Sequence, residues 1–183
     1  MKYLLNYFNF MLALGLGWLV VVVQSTWLHE IFNIYKPNLL MVMLSYFALN
    51  RFMIEGGFLA LLLGYFVEVN SGAPLGLYMV VYVMTYYAAK FLGMGFYIKS
   101  PLAEIVFVAG VSLFYKVIFL LVMGIFVDVR SILGAAWMTG VSMVILNCLL
   151  TPLGFHFLRW IDEVTDKERP SKTGTQERAI QVW

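Results

Sequence analysis

Six apolar runs, separated by short polar or helix-breaking corners, fill the chain from residue 8 to residue 159 and leave almost nothing else to fold. They run approximately Phe8 to Leu28, Asn38 to Arg51, Glu55 to Val69, Leu75 to Phe91, Leu102 to Val127 and Ser131 to Arg159. A helix crossing the hydrocarbon core needs roughly 20 apolar residues, because each residue rises only 1.5 Å and lipid offers the backbone no hydrogen bonds. Hydrophobic residues make up 62% of the 183 and charged residues 12%, whereas soluble domains average about 45 to 50% and about 25%. The expected fold is an all-α integral membrane protein, a six-transmembrane-helix bundle over residues 1–160 with a disordered cytoplasmic tail over 161–183. That leaves no room for an attached nucleotide-binding engine, a large extramembrane domain or a water-soluble catalytic domain.

The second and third runs are short for perpendicular spans and could instead form a re-entrant hairpin. Two true spans are the preferred reading, with Arg51 and Glu55 reaching toward the interface from the corner between them. The N-terminal run is long and ends in Gln24-Ser25-Thr26-Trp27, which fits an uncleaved first span better than a signal peptide. Pro152 is expected to kink the sixth. With six spans, one side of the membrane receives Lys2, Arg51, Lys90, Lys99, Arg159, Lys167, Arg169, Lys172 and Arg178, and the other receives Lys36 and Arg130. Basic residues favour the cytoplasmic side, so both termini are expected there. Trp18, Trp27 and Trp160 near span ends suit an interfacial aromatic belt.

Lys116 is the basic residue left over, an ammonium within the fifth apolar run. Charge at that depth is costly and defaults to a functional hypothesis. From the cytoplasmic end it lies about 15 residues or roughly 22 Å in, and Glu68 lies about 12 residues or roughly 18 Å along the third run. An ion pair between Glu68 and Lys116 is expected; the alternative is that Lys116 extends to the headgroups while Glu68 ends its helix. Glu104, Ser112 and Lys116 share one helical face, as do Tyr78, Tyr82 and Tyr86. Such stripes can line a path, but more often they join helices. Ala13 and Gly17 form a small-xxx-small pair that permits close helix approach, either within the chain or to a partner. Gly56, Gly57 and Gly64 pose the same choice for the third run.

The signatures of catalysis are missing. His29 and His156 stand far apart without an HExxH motif, no cysteine cluster accompanies Cys148, and no phosphate-cradling glycine loop occurs. No serine has an elbow motif or a neighbouring base. No catalytic residue, cofactor or metal site is therefore expected. The net charge of +2 is spread along the chain rather than gathered on a basic face, so nucleic acid is not an expected partner, and membrane lipid is. The tail has nearly balanced charge and turns apolar again at Ala179-Ile180-Gln181-Val182-Trp183.

From Gly57 to Gly76 the chain reads G-F-L-A-L-L-L-G-Y-F-V-E-V-N-S-G-A-P-L-G. This stretch resembles the rod-shape-determining MreD family, in which a glycine-containing span ends in an acidic residue, a small-residue turn and a Pro-Leu-Gly entry into the next helix. Gly64, Glu68, Ser71, Gly72, Pro74, Leu75 and Gly76 carry the resemblance, and Glu68 stands where the family usually has Asp. Asn147 and Pro152, followed by Arg159, resemble the family's closing segment. The resemblance implies a bacterial inner-membrane scaffold or regulator without catalysis of its own. It implies association with MreC and, through MreC, with MreB, the glycosyltransferase RodA and a class B penicillin-binding transpeptidase. It also implies a bundle similar in architecture to the substrate-binding subunits of energy-coupling-factor vitamin transporters.

Read from the residues alone, the acidic turn could be a well-made connection, with Ser71 capping the fourth helix and Pro74 in its first turn. It could equally shape a groove for a partner helix, and the two readings are compatible. The rival function is a vitamin-binding transporter subunit, which would use Ala13 and Gly17 to grip a coupling subunit. Short outer connections with few polar groups argue against it. A channel is disfavoured by the lack of a continuous polar face.

Overall fold

A computed structural model of the chain describes residues 2–26, 37–95, 100–125 and 133–165. Among the described residues all regular structure is helical: α1 (Lys2–Ser25), α2 (Leu39–Asn50), α3 (Met53–Ser71), α4 (Leu77–Gly95), α5 (Pro101–Met123) and α6 (Leu133–Val164). Five of them are long and apolar enough to cross a membrane; α2, with 12 residues, is not. The chain is thus a helical bundle of the multi-pass membrane kind. The third run gains residues at both ends and becomes a 19-residue helix.

Local chemistry explains the boundaries. Ser100 accepts a hydrogen bond from the Ala103 N–H at 3.2 Å, and Pro101 opens α5 where its missing N–H costs nothing. At the end of α3, Gly72 adopts a left-handed conformation at φ 65° and its N–H closes the last turn onto the Glu68 carbonyl at 3.1 Å. Ser71 is therefore the last residue of α3 and its hydroxyl donates to the Glu68 carbonyl, so it does not cap the next helix. Pro74 also precedes α4, lying outside its first turn and accepting from the Leu77 N–H. Helix α6 continues through Pro152 to Val164, so Asp162, assigned to the tail by composition, is helical and buried. Trp27, His29, Lys36, Lys99, Arg130 and the C-terminal residues 166–183 lie outside the described residues.

Consecutive helices run in alternate directions. Gln24, Asn38, Ser71, Tyr78, Lys116 and Thr139 gather at one end of the bundle around a common cavity. Asn9, Arg51, Glu55, Lys90 and Asp162 gather at the other, joined by hydrogen bonds. Between the ends the outer surface is apolar: Leu19 on α1, Phe58 on α3, Val80 on α4, Val106 on α5 and Leu149 on α6 are all exposed. In water such a surface would be a severe liability, and in lipid it is the expected one.

The short α2 forms the centre of this arrangement. Every residue from Leu40 to Ala48 is buried, and α1, α3, α4, α5 and α6 all pack on it. A helix apolar on all sides belongs inside protein. At about 18 Å it falls short of the roughly 30 Å hydrocarbon thickness, but a helix sheathed by others has no need to match the bilayer.

Close helix contacts use the small residues. Ala13 is buried, and a Cβ at Gly17 would stand 2.2 Å from Leu63 Cδ2 of α3. The Ala13 and Gly17 pair is thus closed by the chain's own α3, and it offers no free surface for a coupling subunit. A Cβ at Gly64 would stand 2.7 Å from Met79 Cα and 2.8 Å from the Tyr78 carbonyl oxygen, so here the backbones of α3 and α4 themselves touch.

Candidate functional site

Glu68 lies in the last turn of α3, is 2% exposed, and turns its carboxylate onto the start of α4. Its Oε1 accepts from the Gly76 N–H at 2.6 Å, and its Oε2 accepts from the N–H groups of Tyr78 at 3.1 Å and Met79 at 3.5 Å. The first N–H groups of a helix have no partner within it and carry partial positive charge, so a carboxylate from the preceding helix satisfies both needs. Gly76, at φ 94°, lets the backbone N–H face this oxygen in a conformation that side chains resist. Gly64, Glu68, Gly72 and Gly76 consequently act as one unit: the first lets α3 and α4 touch, the third turns the chain, and the carboxylate closes the hairpin. Ser71, Pro74 and Leu75 remain exposed at its tip, Leu75 by 87%.

This geometry corrects the expected ion pair. With Glu68 committed to α4, Lys116 turns to α6, where its ammonium donates to the Thr139 hydroxyl at 3.3 Å. Its Nζ lies 5.8 Å from the centroid of the Phe119 ring, and its stem runs past Gly140, where a Cβ would meet Lys116 Cγ at 3.2 Å. Glu104, Ser112 and Lys116 on the polar face of α5 each bond to α6. Glu104 pairs with Arg159, and Ser112 accepts from the Asn147 side-chain amide at 3.0 Å. This face joins helices and does not form a path through the bundle.

Beside the hairpin, the ends of the helices line a half-open cavity of about 560 Å³. Its walls are aromatic: Tyr82 meets Tyr115 edge to face at 5.7 Å, and Phe119 packs on Tyr78 at 5.6 Å between centroids. Polar groups converge on it from Lys116, Thr139, Asn38, Gln24 and Ser71. The tyrosine stripe of α4 is divided, since Tyr86 leaves the cavity and donates to the Phe52 carbonyl at 3.2 Å.

The opposite end carries a network with no counterpart in the sequence expectations. Arg51, placed at the interface by composition, is 1% exposed. It binds Asp162 of α6 at 3.0 Å, Glu55 at 2.9 Å and the Asn9 side-chain oxygen of α1, and stacks on Phe47. Tyr46 donates to the second Asp162 oxygen at 2.7 Å, and Lys90 of α4 donates to the Arg51 carbonyl at 2.6 Å. Two cations and two carboxylates thus close the bundle with their charges paired or hydrogen-bonded. The only sequence clue was an arginine and a glutamate four residues apart, since Asp162 lies 111 residues from Arg51.

A second hollow, on the outer face of α6, is lined by Pro152, Leu153, His156, Phe157 and Trp160. Among the described residues no cluster of His, Cys, Asp or Glu could hold a metal ion. The groups lining the cavity are one cation, several hydroxyls and amides, and aromatic walls. No family model, no curated protein and no solved structure matches the chain.

Proposed function

We propose that the chain is a non-enzymatic membrane scaffold of the bacterial cell-elongation machinery, akin to the MreD family. It binds MreC and through it engages MreB, RodA and a class B penicillin-binding transpeptidase. In this reading it positions lateral-wall peptidoglycan synthesis from the inner membrane, as a six-helix bundle with both termini in the cytoplasm. The observation that carries the proposal is the hairpin at Glu68. Gly64, Glu68, Ser71, Gly72, Pro74, Leu75 and Gly76, which carry most of the family resemblance, make the α3–α4 hairpin, and that hairpin borders the cavity. With the N-terminus inside, α1 carries the chain outward, so the hairpin and cavity face the periplasm, where MreC has its soluble part.

Affinity purification from detergent-solubilised membranes with co-expressed MreC tests this reading. A stoichiometric complex is expected, and depletion of the protein should round the cells. Absence of a complex together with unchanged cell shape would remove the assignment.

One observation favours a second reading, a vitamin-binding transporter subunit of similar architecture. The cavity has the aromatic walls of a small-molecule pocket. Burial of the Ala13 and Gly17 face against α3 counts against it, because the surface reserved for a coupling subunit is occupied. Nanomolar binding of a vitamin by calorimetry would reverse the ranking.

A further inference from the structure

Three groups in the cavity have bonding capacity that their surroundings leave unused. Lys116 has three N–H donors; the bond to Thr139 accounts for one of them, and among the described residues no ion pair includes it. A charged lysine within a span is tolerated when it faces a polar cavity or a counter-charge, and here the cavity is present.

Asn38 is the second. It stands at the N-cap position of α2, where an asparagine side chain ordinarily accepts from the first helical N–H groups, yet it makes no such bond. Its backbone N–H is held by Asn147 Oδ1 at 2.9 Å, and Asn147 is held in turn by Ser112. Asn38 is 8% exposed and lines the cavity; its side-chain amide hydrogen-bonds Tyr82 and Tyr115, which leaves its buried Oδ1 without a partner. The third is Gln24, whose Oε1 is also buried, lines the same cavity and accepts nothing. Buried acceptors without partners destabilise a fold, so a pair of them around one cavity calls for a role.

We propose that this cavity recognises a carboxylate carried next to N–H donors: Lys116 takes the anion, and Asn38 and Gln24 accept from the amide that bears it. The tyrosine and Phe119 walls receive the apolar body of the same group. The required pattern of anion, N–H donor and apolar body excludes a simple fatty acid, which has no N–H, and a free amine, which has no anion. It describes an N-acylated amino acid, or an acidic residue within an extended segment of the partner protein. The inference rests on reading this end of the bundle as a binding face; the identity of the partner is a separate matter.

The probe is N-acetyl-L-tryptophan, with its methyl ester as the uncharged control, titrated against the full chain in lipid nanodiscs by native mass spectrometry. Wild type should bind the acid at least about ten-fold more tightly than the ester, about 1.4 kcal/mol. Lys116→Met should bring the ratio to about one and Lys116→Arg should keep the preference, because only the cation distinguishes acid from ester. Asn38→Leu should weaken acid and ester alike and leave the ratio unchanged. Equal binding of acid and ester by wild type, or a preference that survives Lys116→Met, would overturn the proposal.

Co-purification then separates the sources. A roughly ten-fold fall in MreC recovery with Lys116→Met assigns the carboxylate to the partner. Unchanged recovery, with a carboxylate adduct on wild type that Lys116→Met lacks, assigns it to a free small molecule. Failure of wild type to retain MreC while the acid preference persists would remove the functional reading and leave the site standing.

Discussion

Arg51→Met unfolds the bundle more readily than any substitution on its outer surface, by about 3 to 5 kcal/mol, the usual cost of removing one partner from a buried ion pair. The guanidinium simultaneously serves Asp162, Glu55 and Asn9, so its loss strands a carboxylate that is itself 3% exposed. Tyr46 would remain as a donor to Asp162, but a neutral hydroxyl does not offset a buried negative charge. Arg51→Lys should recover only part of the loss, because an ammonium cannot reproduce the planar fork that reaches several acceptors. The double variant Arg51→Met with Asp162→Leu should recover more than Arg51→Lys, since removing both charges removes the stranded one. Thermal unfolding of the detergent-purified protein, followed by aggregation onset, checks the series. Equal destabilisation by the single and double variants would show that packing around Arg51, and not its charge, holds this end together.

Gly64→Val separates α3 from α4 and lowers stability by at least about 2 kcal/mol, combining overpacking with loss of a helix cap. The atoms that a Cβ would strike, Met79 Cα and the Tyr78 carbonyl oxygen, belong to the backbone and cannot rotate aside. Moving α4 away also stretches the bonds from Gly76 and Tyr78 to Glu68, since those donors lie on the same stretch of chain. Gly110→Ala is the matched control: no atom lies within 4 Å of its Cβ position, and helix propensity alone should make it neutral or slightly stabilising. If both variants unfold at the wild-type temperature, the close contact at Gly64 has no energetic weight.

These expectations mark where the sequence was legible. The apolar runs placed all six helices, because lipid imposes length and composition on each segment independently of its neighbours. The short second run was readable as an anomaly but not as a central helix. Its all-round apolarity fits a lipid-facing span as well as a buried one, and only packing distinguishes the two. Arg51 was misplaced for a related reason: a charged corner between apolar runs looks interfacial until a distant carboxylate, Asp162, is known to meet it. Lys116 and Glu68 stand out in the sequence as charges within apolar runs, and the axial argument puts them at similar depths. Depth does not specify direction around a helix, however, and Glu68 found donors on its own hairpin while Lys116 faced α6. The unpartnered acceptors of Asn38 and Gln24 left no trace in the sequence, since any asparagine before an apolar run reads as a helix cap.

The most direct test of the scaffold reading is a site-specific photocrosslinker at Leu75, on the tip of the Glu68 hairpin, compared with one at Ile54, at the opposite end of α3. Both positions are strongly exposed, 87% and 85%, so accessibility does not bias the comparison. In membranes containing MreC, the Leu75 probe should yield a crosslinked MreC band and the Ile54 probe little or none. Equal crosslinking from both positions, or none from Leu75, would contradict the account.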